Sequence, residues 1–220
     1  MTDLRLAGSP AGRMIAEHFS IREAGRFRYR SAQAILDLPT DFSEYMRGRR
    51  RQAVRTNIGH ARRAGQFVFS CAIDGWTPGL DDSRRAAITP GPVERWTVLA
   101  ADGQIVADSI VSVDRDVALL QGLVSASENA RWLLHTAIVE RLCGECSQLL
   151  TNSDDVYRLA AGTQHFQRLL GYRIGRLSIS HAPVGPADQP PEPAGLPWPP
   201  GVHSCGIDRT PAVPPVAVIQ

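Results

Sequence analysis

Between Asp41 and Gly65 the apolar residues Phe42, Met46, Ala53, Val54, Ile58 and Ala61 recur at helical spacing. The pattern predicts one long amphipathic helix with an arginine-rich outer face, bent near Gly59. Asp41 followed by Glu44 fits a capping box, and Gly65 supplies a C-terminal stop. Upstream, FRYRSAQAILDL ends in a strand-like run halted by Pro39. Downstream the period shortens. Phe67 to Ile73 reads as a strand, and Asp74 to Pro92 as a loop rich in Pro and Gly. Three further strands are predicted at Trp96–Ala100, Ile105–Val113 and Val117–Val124. Asp102-Gly103 and Asp114-Arg115-Asp116 turn the chain between them, so these strands form an antiparallel meander. Ser125 with Glu128 gives a second capping box, and Ala130, Leu133, Leu134, Ala137, Ile138 and Leu142 form a helical stripe behind it. Gln148–Thr151 is a short strand, about 156 to 170 is helical with an interruption at Gly162, and Tyr172–Ser180 is the last strand.

The ends read differently. Residues 1–25 carry weak signals and are expected to be only partly ordered. Residues 181–220 hold 11 of the 16 prolines and no periodicity, the composition of an extended tail rather than of a packed core. A globular domain over 26–180 remains.

Composition adds little until it is divided. The 220 residues carry 43% hydrophobic and 21% charged side chains and a net charge of +2, ordinary values for a folded chain. All 24 basic residues are Arg. Seven of them (Arg47, Arg49, Arg50, Arg51, Arg55, Arg62, Arg63) fall between Tyr45 and Ile73, where there is no acid. The other 17 face 22 acids, so a basic block sits on a body of charge −5. The absence of Lys excludes Schiff-base chemistry and a Walker-type phosphate lysine. No apolar run approaches the roughly 20 residues of a membrane span, and the N-terminus lacks a secretory pattern, so the expected location is the cytoplasm. Cys143-Gly-Glu-Cys146 has a metal-type spacing, but no second pair follows at a usual distance, so no metal site is expected.

The order strand, basic helix, strand, meander, helix, short strand, helix, strand resembles an acyltransferase of the GNAT superfamily. It is most similar to the FemAB-like or BioF2-like branch, in which a GNAT domain carries an arginine-rich helix. AILDLPTDFSEYMRGRRRQAVRTNIGHARRAG resembles the opening of that branch, and VLAADGQIVADSIVSVDRDVALLQGLVS its meander. SDDVYRL resembles the stretch before its last helix, and FQRLLGYRIGRLSIS its closing element. The resemblance covers about residues 27 to 180. It implies an α/β (α+β) fold with a mixed, mostly antiparallel central sheet flanked by helices.

The resemblance also implies a reaction: an acyl group, acetyl in the simplest case, moves from a CoA-type thioester to an amine acceptor. Leu123, Val124 and Ser125 would supply backbone donors, and Ser127, Asn129 and Arg131 would hold phosphate at a helix N-terminus. Most GNAT enzymes carry a glycine-rich loop there; Ser125–Arg131 contains no glycine. Tyr157 is the expected general acid, with Asp155 or Asp154 recognising the amine or acting as base through water. His135 and His165 read as structural. Arg50, Arg51 and Arg55 would meet phosphate groups of the acyl donor or of a larger anionic donor. In a competing reading, a non-catalytic module of the same fold binds nucleic acid or another polyanion through the Arg47–Arg63 face, with salt-sensitive affinity. Relatives with two GNAT units leave a homodimer open for this single-unit chain.

Overall fold

The computed structural model describes residues 1–7, 9–23, 25–72, 93–151 and 155–181. The loop expected at 74–92, Asp154 and the tail beyond His181 lie outside the described residues.

The element order is β1 (Thr2–Leu6), α1 (Pro10–Ser20), β2 (Arg22–Glu23), β3 (Arg26–Phe27), β4 (Gln33–Asp37), α2 (Phe42–Tyr45), α3 (Gln52–Arg63), β5 (Phe67–Ala72), β6 (Val93–Leu99), β7 (Ile105–Asp114), β8 (Val117–Ser125), α4 (Glu128–Leu142), β9 (Gln148–Thr151), α5 (Ala161–Leu169), β10 (Arg173–Gly175) and β11 (Leu177–His181). Single 3₁₀ turns lie at Arg28–Arg30, Arg49–Arg51 and Val156–Arg158. The main sheet has seven strands in the order β10-β4-β9-β8-β7-β6-β5. All its pairings are antiparallel except β8 with β9. This is the mixed, mostly antiparallel sheet flanked by helices that the resemblance implies.

Strand alternation sorts the core into two layers. In β8, Ala118 and Leu120 face the cluster formed with α3, α4 and α5, whereas Val117 and Leu119 face the cluster formed with α1. β4 divides likewise, with Ala34 and Leu36 on one side and Ile35 on the other. The middle strands are apolar on both faces because both faces are covered. α4 is the most buried helix: Trp132, His135, Thr136 and Val139 are buried along with its expected stripe, of which Ala137 alone is half-buried.

Four sequence expectations change. Residues 1–25 are built into the fold: β1 pairs in parallel with β11, and Leu4, Leu6, Ile15 and Phe19 are fully buried. Ser9 caps α1, with Oγ accepting from Gly12 N at 3.0 Å and donating to Asp114 at 2.5 Å. Asp114, itself 2% exposed, also accepts from Ala7 N at 2.6 Å. The long basic helix is two helices. Asp41 caps the first through Ser43 N, but Gly48 takes φ +84°, open to glycine at no steric cost, and the chain re-enters helix only after the 3₁₀ turn. No break occurs at Gly59, which lies inside α3. Ser125 is the last residue of β8 and Ser127 is the N-cap of α4, so the second capping box does not form. Finally, the expected closing strand is two: β10 pairs antiparallel with β4 and β11 leaves the sheet to join β1.

Candidate active site

The β8–β9 ladder ends at the pair Leu120–Thr151, while β8 runs on to Ser125. In the same stretch β8 is bulged: its register against β7 slips between Ser109 and Ile110, and Gly122 is the extra residue, with φ +62°. The bulge bends β8 where its parallel partner stops. A cavity of about 320 Å³ occupies the divergence, roofed by α4 and α5. Leu120, Leu123, Leu159, Phe166 and Leu170 make it apolar, and Ser125, Arg131, His135, Thr151, Gln167 and Tyr172 supply its polar groups.

The polar groups are arranged around a buried pair. His135 is 1% exposed and its Nε2 lies 2.8 Å from the Tyr172 hydroxyl. Burial, aided by the nearby Arg51 charge, depresses the His135 pKa to about 3, so the imidazole is neutral at physiological pH. Burial, with a contribution from Tyr45, raises the Tyr172 phenol well above its ordinary value and keeps it protonated. A neutral imidazole carries one N–H. With it on Nε2, it donates to Tyr172 and leaves the phenol proton free to donate elsewhere. His135 Nδ1 and Gln167 Oε1 are buried without a protein partner, and both residues line the cavity. Buried polar atoms left unpaired cost free energy unless a ligand or water satisfies them.

The expected site residues fare unevenly. Leu123, Ser125 and Arg131 do line the cavity. Val124 points away, 73% exposed, as strand alternation beside Leu123 requires. Ser125 Oγ donates to Ser127 O at 2.5 Å and Ser127 Oγ accepts from Gln66 at 3.3 Å, so these hydroxyls brace the strand-to-helix turn. Asn129 is half-buried in the first turn of α4, outside the cavity wall. Arg131 is bonded to Glu128 at 3.0 Å and lies 4.7 Å over the Phe166 ring, at the cavity wall. Tyr157 is 70% exposed and does not line the cavity, and Asp155 accepts from Tyr157 N at 3.1 Å as a turn cap. The phenol standing in the cavity is Tyr172, the tyrosine of the Leu-Gly-Tyr segment. Its only sequence signal was that resemblance.

The basic block is also reassigned. Arg51 Nε donates to Tyr45 O and its NH1 to Leu169 O, both at 2.9 Å, and the guanidinium sits 4.3 Å over the Tyr45 ring. Arg55 donates to Met46 O at 2.5 Å and Gly48 O at 3.1 Å. Both arginines donate to carbonyls at the helix break, and Arg51 also ties that break to the end of α5. Arg50 is exposed. His165 is exposed and shares a hydrogen bond of 2.8 Å with Arg168. Among the described residues no group of three or more His, Cys, Asp or Glu side chains converges as a metal site, and no helix is long and apolar enough to cross a membrane.

No family model matches the sequence, and no curated protein matches it. Several solved structures are similar. One is the C-terminal DUF2156 domain of an Agrobacterium fabrum protein classed as a lysylphosphatidylglycerol synthetase, with TM-score 0.47 and 12% identity over 66% of this chain and 57% of that one. Another is L-PGS from Bacillus licheniformis, with TM-score 0.46 and 12% identity over 66% and 57%. A third is a GCN5-related N-acetyltransferase from Kribbella flavida, with TM-score 0.36 and 13% identity over 66% and 54%. The chain spans less than two thirds of the length of each.

Proposed function

We propose that this chain is an N-acyltransferase that moves an acyl group from a CoA-type thioester to an amine. The observation that supports it best is the cavity at the divergence of β8 and β9, with the unpaired polar atoms of His135 and Gln167 in its wall. An apolar slot with a few fixed polar groups suits a neutral, amide-bearing thioester arm. His135 Nδ1 and Gln167 Oε1 fit such an arm, because each can exchange a hydrogen bond with an amide without meeting a charge.

The reaction asks for positioning and for two kinds of polar help. The amine nitrogen bonds to the acyl carbon, the carbon–sulfur bond breaks, and the proton lost by nitrogen balances the one gained by sulfur. In this reading backbone N–H groups of the bulged β8 segment around Leu123 polarise the carbonyl. Tyr172 takes the role first expected of Tyr157, donating a proton to the departing sulfur, with His135 holding its hydroxyl in place. Arg131, in the cavity wall, would meet the phosphate end of the donor in competition with Glu128.

Calorimetric titration of the full chain with acetyl-CoA and longer acyl-CoAs tests the donor. Binding at micromolar to millimolar concentration is expected; its absence at about 1 mM refutes the reading. If turnover is found, Tyr172→Phe should lower kcat by about 100-fold, whereas Tyr157→Phe should leave it unchanged.

A further inference from the structure

A second concave site lies beside the α1 layer, where β11 passes the β2–β3 hairpin and the Arg28–Arg30 turn. It is a groove of about 730 Å³ whose wall includes Met1, Arg26, Tyr29, Arg30, Arg176 and Ser178. No carboxylate lines it, and among the described residues no acid forms a salt bridge with Arg26, Arg30 or Arg176. The pairs that do form elsewhere, such as Arg173 with Asp37 at 2.6 Å, show that acids are used where the fold needs a cation neutralised. Here three guanidiniums border one depression. Like charges around a low-dielectric concavity focus a positive potential into it.

The groove is also held in shape. The Arg30 guanidinium lies 5.5 Å from the Tyr29 ring centre, and Tyr29 stacks on Phe27 at 5.6 Å. The parallel β1–β11 pair fixes Ser178, and Arg176 O accepts from Thr2 N at 2.9 Å just before that pair. Guanidinium forks match phosphate oxygens two at a time, better than they match a single carboxylate oxygen or chloride. Apolar side chains are exposed at the groove and beside it: Met1 in its wall at 93%, and Phe27, stacked on Tyr29, at 38%. A cationic depression with an apolar lip suits a phosphate that carries an organic or acyl substituent.

We propose that this groove is a phosphate-ester binding site, separate from the acyl-donor cavity and independent of the acyltransferase reading. The ester is either a soluble phosphomonoester or the headgroup of an anionic phospholipid. In both, phosphate oxygens meet Arg26, Arg30 and Arg176, and the substituent lies along Tyr29 and Phe27.

The test compares the full chain with two variants of equal charge change. The groove variant combines Arg26→Gln, Arg30→Gln and Arg176→Gln; the control combines Arg49→Gln, Arg62→Gln and Arg63→Gln on the basic block. All six positions are exposed, so both variants should fold, which circular dichroism checks. The probes are glycerol 3-phosphate, by calorimetry, and vesicles of phosphatidylcholine with about one third phosphatidylglycerol against pure phosphatidylcholine, by flotation. Saturable binding of glycerol 3-phosphate identifies a soluble ester as the source; binding of the anionic vesicles alone identifies a lipid headgroup. In either case the groove variant should bind about tenfold more weakly and the control within about twofold of the unmodified chain. Equal losses in the two variants would mean a response to net charge and would overturn the proposal. So would failure of both probes to bind, at about 10 mM glycerol 3-phosphate and about 1 mM lipid.

Discussion

Arg51 separates two readings of the basic block, because a structural arginine and a ligand-binding one respond differently to removal. In Arg51→Met the apolar stem remains while the charge and donors go. The change removes two hydrogen bonds of 2.9 Å, to Tyr45 O and Leu169 O, and the stacking of the guanidinium 4.3 Å over the Tyr45 ring. Hydrogen bonds from a charged donor contribute about 1.5 to 3 kcal/mol each. The lower end applies to this half-buried side chain, giving about 3 kcal/mol for the pair, and the cation–π contact adds about 0.5 kcal/mol. The expected loss is therefore about 3.5 kcal/mol, or roughly 7 to 14 °C in Tm for a domain of this size. Arg50→Met, one residue away and exposed, should change stability by less than about 0.5 kcal/mol. Urea unfolding followed by tryptophan fluorescence, with both variants at equal concentration, makes the comparison. If Arg51→Met unfolds within about 0.5 kcal/mol of Arg50→Met, the clamp between α2 and the end of α5 is wrong. A loss of anion affinity without loss of stability would restore Arg51 to the binding face.

Three further outcomes follow from particular contacts. The His135 pKa is lowered on folding, so the unfolded chain takes up a proton that the folded chain refuses; this contribution to stability falls as pH drops below about 6.5, by about 1.4 kcal/mol per unit until pH approaches about 3. His135→Gln should remove that slope in unfolding experiments between pH 6.5 and 4.5, and an unchanged slope contradicts the assignment. Asp114→Ala should cost about 2 kcal/mol, because it leaves Ala7 N and the Ser9 cap without their acceptor. Hydrogen exchange should then show faster exchange in α1 than in α4, and protection of α1 equal to that of the unmodified chain counts against it. Gly122→Ala forces a side chain into φ +62°, at about 1 kcal/mol, and should weaken acyl-CoA binding more than it weakens the fold. Unaltered donor affinity would show that the bulge does not shape the cavity.

Part of this fold is encoded in patterns local to one segment of chain. Alternation marked the meander strands, Asp102-Gly103 marked a turn in which Gln104 N bonds back to Asp102 at 3.0 Å, and the helical stripe of α4 was visible because one face must be apolar. Helix entry at Asp41 was equally legible, since a capping carboxylate acts within two or three residues. The rest depends on partners far apart in the chain. His135 and Tyr172 are 37 residues apart, Arg51 and Leu169 118 apart, and Ser9 and Asp114 105 apart. A periodicity tells a side chain which face it is on but not which group waits there. For that reason His135 reads as structural, Arg51 as a phosphate-binding group, and residues 1–25 as only weakly ordered until β11 and Asp114 are in place to hold them. The same holds for the cavity. It exists because one strand is bulged at Gly122 while its parallel neighbour stops, and neither event leaves a mark on the hydrophobic pattern of a single segment.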